Sequence, residues 1–211
     1  RQFYEKDLIS PLQSGGIWYG EDFTSFTPAR NFTFPAVNLV PGSNLQITSS
    51  VMGSSRAGSE FTLKGNNTLL GNQFINGQGT HNYHPVGEDN LTYFSLNSNI
   101  LQGTSELTLN LAFNNKGVAD ATGYLNYLEI ISERSLRLQG NQTTFRSLQN
   151  IQREALSSFK IENITAETRV WEITQAVTPK ALVLEKNNTT GLFSVKTDTL
   201  REFVAFTGSD F

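Results

Sequence analysis

The sequence predicts an all-β protein: a two-sheet β-sandwich with jelly-roll-like connections, one domain, few or no helices. Three observations point there. Apolar and polar residues alternate at period 2 in many short runs. Gly, Pro and Asn turn signals interrupt those runs roughly every 8–14 residues. The chain of 211 residues is 37% hydrophobic and 17% charged, yet carries 15 Phe. Large core residues in an uncharged polar surface favour packed sheets over helices.

In chain order, residues 1–16 read as a polar lead-in ending in a Ser-Gly-Gly loop. Residues 17–23 (IWYGEDF) are expected to open the first strand. Residues 30–34 (RNFTF) alternate and stop at Pro35. Residues 40–43 (VPGS) form a turn, because proline presets φ and glycine tolerates the return. Residues 45–51 (LQITSSV) make the next strand. Residues 60–63 and 68–70 read as a hairpin through KGNN.

Residues 71–90 hold four glycines and both histidines. They read as a long loop or irregular edge, a common place for function. Strands resume at 91–96 and 105–113, with a turn at 114–117. Residues 123–136 (GYLNYLEIISERSL) are the densest apolar run. At period 2, Tyr124, Asn126, Leu128 and Ile130 share one face; Leu125, Tyr127, Glu129 and Ile131 share the other. Such a run belongs inside a sheet covered on both sides. A hairpin through 139–142 then leads to 143–146. Leu148, Gln152 and Leu156 are spaced by four, which allows one or two helical turns over 147–157. Strands at 158–161, 169–174, 181–184, 192–196 and 200–206 complete roughly 12 strands. Trp171 is expected to anchor the core.

The net charge is −3. No basic tract exists, so there is no electrostatic footprint for nucleic acid. With 0 Cys, a disulfide framework, a thiolate metal site and a cysteine nucleophile are excluded from this chain. No apolar run approaches the ~20 residues of a membrane helix. The start at Arg1 is read as processing or excision from a longer chain. A surface rich in Asn, Thr and Ser suggests an extracellular setting. Sequons stand at Asn31, Asn66, Asn90, Asn141, Asn163, Asn187 and Asn188.

Few residues invite chemistry. His81 and His84 could give two zinc ligands, but spacing marks no third, and exposed loop histidines are the plainer reading. No Gly-x-Ser-x-Gly elbow is present. Glu21-Asp22 and Glu88-Asp89 are adjacent pairs, whose side chains leave a strand on opposite faces and would not flank one bond. No cofactor is expected. Trp18, Tyr19 and Tyr83 could stack on sugar rings. Together with His81 and His84 they are the candidate ligand contacts.

The order of motifs resembles a known region. Residues 16–23 (GIWYGEDF), Phe34-Pro35, 39–42 (LVPG), 123–130, 134–136 (RSL), 145–146 (FR), 159–161 (FKI), 170–174 (VWEIT) and 200–206 (LREFVAF) look like the domain before the catalytic domain of PorU-type proteins. These are gingipain-like cysteine peptidases, the cell-surface sortases of the bacterial type IX secretion system. The resemblance implies a β-rich, non-catalytic structural or docking domain of a surface protein. Its partners would be the downstream peptidase domain of the same polypeptide and other outer-membrane proteins of the secretion system. The competing reading is a carbohydrate-binding module or an adhesin domain. In residues 199–211 both strand faces carry large apolar side chains. That end is expected to be the seam to the following domain, with Phe206 and Phe211 near the contact.

Overall fold

Alternation becomes ladder wherever a strand finds a neighbour, and the protein is all-β. The computed structural model describes residues 1–11, 16–79, 85–101 and 103–208. The strands are β1 (Gln2–Glu5), β2 (Asp22–Phe23), β3 (Ala29–Pro35), β4 (Asn44–Ser54), β5 (Ser59–Gly65), β6 (Thr68–Ile75), β7 (Glu88–Asn97), β8 (Glu106–Asn114), β9 (Thr122–Ile131), β10 (Gln142–Arg146), β11 (Leu156–Glu162), β12 (Arg169–Glu172), β13 (Lys180–Leu182), β14 (Glu185–Asn187), β15 (Thr190–Lys196) and β16 (Glu202–Phe206). Among the described residues the sole helix is a 3₁₀ turn at Ser98–Leu101.

The single expected sandwich is replaced by two compact units, Arg1–Arg134 and Ser135–Phe211. Each is a small antiparallel sandwich with its own core. No Gly/Pro-rich or charged linker marks the boundary between Arg134 and Ser135, so the sequence carried no signal for it.

In the first unit one sheet has the order β1-β9-β4-β7, with β2 also paired to β9; the other has β3-β8-β5-β6. Successive strands cross repeatedly from sheet to sheet, the jelly-roll pattern. Ile47, Val51, Leu125, Leu128 and Ile130 from the first sheet meet Phe61, Leu63, Leu107, Leu109 and Leu111 from the second in one dry core. The β5–β6 hairpin turns on Asn66 and Asn67, at φ 44° and 67°. Two consecutive positive φ values define the turn whose twist matches the flanking strands, and Asn tolerates them.

β9 is interior, as its two-sided apolar pattern required, but its face assignment shifts. The register with β4 breaks between Ser50 and Val51, where Leu125 and Tyr127 oppose consecutive residues. The extra residue, Asn126, makes a β-bulge that flips the alternation. Leu125 therefore shares the core face with Leu128 and Ile130, while Tyr124 and Tyr127 face outward.

Several other expectations change. Residues 2–5 belong to a sheet, because Tyr4 packs on the core. Residues 17–23 give only a bridge at Tyr19 and the two-residue β2. β6 runs to Ile75 and β7 starts at Glu88, so strands take up residues 71–75 and 88–90 of the expected loop. Residues 147–155 form turns rather than helix. Leu148 and Leu156 are 52% and 70% exposed, so no apolar stripe existed to stabilise so short a helix. The hairpin expected through 139–142 does not form with β9, since β10 pairs with β16 instead.

In the second unit β10-β16-β12-β13 faces β11-β15-β14. Its centre is aromatic: Phe203 lies 5.4 Å from Phe145, 5.2 Å from Phe159 and 5.3 Å from Phe193. Val170, not Trp171, enters this core. Val170 pairs with inward Ala205, so at period 2 Trp171 points to the other face with Val204.

Candidate functional site

The outer face of the β1-β9-β4-β7 sheet carries Phe3, Tyr93 and Tyr127. Register places Phe3, Glu129, Thr48 and Tyr93 in one cross-strand row, and Glu5, Tyr127, Ser50 and Leu91 in the next. Phe3 is 44% exposed and Tyr93 62%. Phe3 and Tyr127 stack at 5.1 Å. Arg1 lies over the Phe3 ring and pairs with Glu129. The face thus combines ring surfaces with the carboxylates Glu5 and Glu129. Burial and the nearby negative charge of Glu129 push the Tyr127 phenol up.

Tyr19 closes one end of this face. Its ring sits 5.8 Å from that of Tyr124 on β9, and its hydroxyl donates to Asp89 on β7 at 2.7 Å. The two anchors flank Met52 of β4 in register, so Tyr19 spans the sheet. It is buried, and its neighbour Trp18 is 41% exposed. Burial first, then the bond to Asp89, drives the Tyr19 pKa well above the ordinary phenol range.

Burial also raises the pKa of Tyr4 and Tyr124. Raised folded-state values mean that the unfolded chain loses these protons first as pH rises. The stability they contribute is therefore full below the unfolded phenol value of about 10 and falls above it. Alkaline unfolding followed by circular dichroism should steepen above about pH 10, and less so in Tyr19→Phe. An unchanged pH profile in that variant would contradict this role.

The second unit holds a polar cleft of about 230 Å³ lined by Glu172, Thr174, Gln175, Thr178, Lys180, Thr199 and Arg201. Arg201 Nη1 donates to both Glu172 oxygens, at 3.0 and 3.2 Å, and Nη2 to Asp198 at 3.3 Å.

Of the residues singled out from sequence, Tyr19 lies at the aromatic face, and Trp18 precedes it in the chain. His81, Tyr83, His84 and Phe211 lie outside the described residues. Phe206 is buried at 2% exposure, edge-on to Trp171 at 5.2 Å. Among the described residues no group of three His, Asp or Glu is placed to hold a metal ion. Sequence reading missed Phe3, Tyr93 and Tyr127, which lie on three different strands. It also missed the Glu172–Arg201 pair. No short-range spacing links either set.

No protein-family model matches the chain, and no curated protein matches it. Solved structures do. Dimeric latent PorU from Porphyromonas gingivalis superposes over 98% of this chain with a TM-score of 0.84 and 21% identity. The chain shares its fold with one region of PorU. It spans 20% of the PorU chain. Weaker likenesses reach a carbohydrate-binding module, CBM36 with calcium and xylotriose, at TM-score 0.36, 11% identity, 56% of this chain and 91% of that one. The CBM36-1 domain of a multidomain xylanase from the hindgut metagenome of Trinervitermes trinervoides gives 0.36, 13% identity, 56% and 89%. At 0.36 these likenesses carry no argument.

Proposed function

We propose that this chain is a non-catalytic structural and docking region of a PorU-like cell-surface protein. The peptidase residues would lie elsewhere in the same polypeptide, and that parent would process cargo of type IX secretion at the outer surface. The observation that carries the reading is the PorU fold match across 98% of the chain. The motif order and the 0 Cys support it. Residues 199–211 remain the proposed seam to the catalytic domain. Val204 and Phe206 of β16 are buried within the chain itself, so the proposed contact would fall to residues after β16.

The chain alone should leave a sorting-signal peptide intact and should bind the separately produced peptidase region of a PorU-type protein. Interdomain surfaces bury about 600–1,500 Å², enough for detection by calorimetry. Cleavage abolished by a point mutation in this chain, or no binding to the peptidase region, would overturn the reading.

The exposed rings of Phe3 and Tyr93 favour a second reading, carbohydrate binding, because aromatic faces stack on sugar C–H surfaces. A broad glycan array separates the two. The docking reading expects silence. A signal lost in Tyr93→Ala would install the second reading in its place.

A further inference from the structure

We propose that Asn76 is a self-modifying site. Its side-chain amide is lost by attack of the Gly77 backbone nitrogen, which leaves aspartate or isoaspartate just after β6. The reaction does not depend on the function proposed above.

The chemistry sets the conditions. The residue after the asparagine must lack a Cβ, because a side chain there hinders ring closure. Its N–H must not be committed to an acceptor, and the pair must meet water. Asn76-Gly77 is the one Asn-Gly pair in the chain. Both residues are exposed. The Gly77 N–H donates to no described group, although its neighbours are tied. Gln78 N–H donates to Ser55 O at 3.0 Å, and Gly79 N–H to Arg56 O at 3.2 Å.

Asn97-Ser98 supplies the contrast. Its second residue is also small, but Ser98 is buried and its N–H donates to Ser43 O at 2.8 Å. The Asn97 amide is held as well, donating to Gly42 O at 3.1 Å. There the attacking nitrogen is committed, whereas that of Gly77 is not.

The fold also keeps the reactive pair in place. A Cβ at position 77 would sit 2.5 Å from Arg56 O and 2.7 Å from Ala57 C. These are backbone atoms, so close packing demands the glycine that opens Asn76 to attack. On the other side, Asn76 Nδ2 donates to Glu88 Oε1 at 2.9 Å. A carboxylate beside the leaving nitrogen favours its protonated form.

The step balances without any further reactant but water. Gly77 N bonds to Asn76 Cγ and gives its proton to solvent. The Cγ–Nδ2 bond breaks and ammonia leaves. Water then opens the cyclic imide at either carbonyl. Opening at Cγ gives aspartate, and opening at the main-chain carbonyl gives isoaspartate. Either product removes the donor to Glu88 and adds a negative charge beside it. Attraction between the end of β6 and the start of β7 thus becomes like-charge repulsion.

The test incubates the folded 211-residue chain at mildly alkaline pH and follows each asparagine by peptide mapping and mass spectrometry. Asn76 should convert at least about tenfold faster than Asn97, a barrier difference of about 1.4 kcal/mol. In Asn76→Gln, whose longer side chain must close a larger ring, conversion at this position should all but cease. Asn76→Asp makes one product directly. It should lose amide-exchange protection at Gln78 and Gly79, and adding Glu88→Gln should restore it. Asn76 still intact once Asn97 has converted would overturn the proposal. So would conversion of Asn76 in urea alone, which would mean that the folded chain withholds the reaction. Unchanged exchange at Gln78 and Gly79 in Asn76→Asp would overturn the effect on the β6–β7 junction.

Discussion

Phe203→Ala should destabilise the second sandwich by about 3–5 kcal/mol, the range for emptying a buried phenylalanine site. Phe203 is 1% exposed and touches three other phenylalanine rings within 5.5 Å. Those rings come from β10, β11 and β15, so the cavity would open where both sheets meet. They also contact one another: Phe159 and Phe193 stack at 5.1 Å, with planes 12° apart. Such mutual support leaves little freedom to collapse into the gap. A small domain holds only about 5–15 kcal/mol in total, so the loss would be a large fraction. Urea denaturation and amide exchange in β12 and β16 would measure it. Phe203→Leu, which keeps most of the volume, should lose less than half as much. A loss below about 1 kcal/mol for the alanine variant would show that this ring is not central.

Gly123→Ala should destabilise the first sandwich by about 1–3 kcal/mol, and Gly123→Val by more. The cause is space. A Cβ at this position would sit 2.4 Å from Phe61 Cζ and 2.8 Å from Phe113 Cδ2. Neither ring can easily retreat. Phe61 is fully buried, edge-on to Phe23 at 5.3 Å and 4.9 Å from Phe113. In an open strand position the sign would be opposite, because replacing glycine there recovers roughly 0.5–1 kcal/mol. Combining Gly123→Ala with Phe61→Leu should be less harmful than the sum of the two, since the second change clears the space the first one needs. Strict additivity would mean that the methyl group is accommodated in some other way.

Much of the fold was legible in short stretches. The alternation of LTLNLAF at 107–113 and RNFTF at 30–34 reappears as β8 and β3, paired over seven residues. The Asn-Asn hairpin and the interior position of β9 were readable for the same reason. Period-2 patterning and positive-φ turns are properties of a few neighbouring residues. What failed locally is equally instructive. One bulged residue, Asn126, reversed the face assignment along part of β9, because a single insertion shifts every later side chain by one step. Helical spacing at Leu148 and Leu156 predicted turns of helix where no apolar surface waited to receive them.

The sequence by itself determined the all-β class, the approximate places of most strands and the exclusion of cysteine chemistry. Tertiary structure alone decided that two cores form where one was expected. It also decided which face of β9 is inward, and it set Phe3 and Tyr93 in line with Glu129 across the sheet and Arg201 against Glu172. These are pairings between distant parts of the chain. Their partners are chosen by strand register and by which surfaces can be buried together, and neither quantity is written in the spacing of adjacent residues.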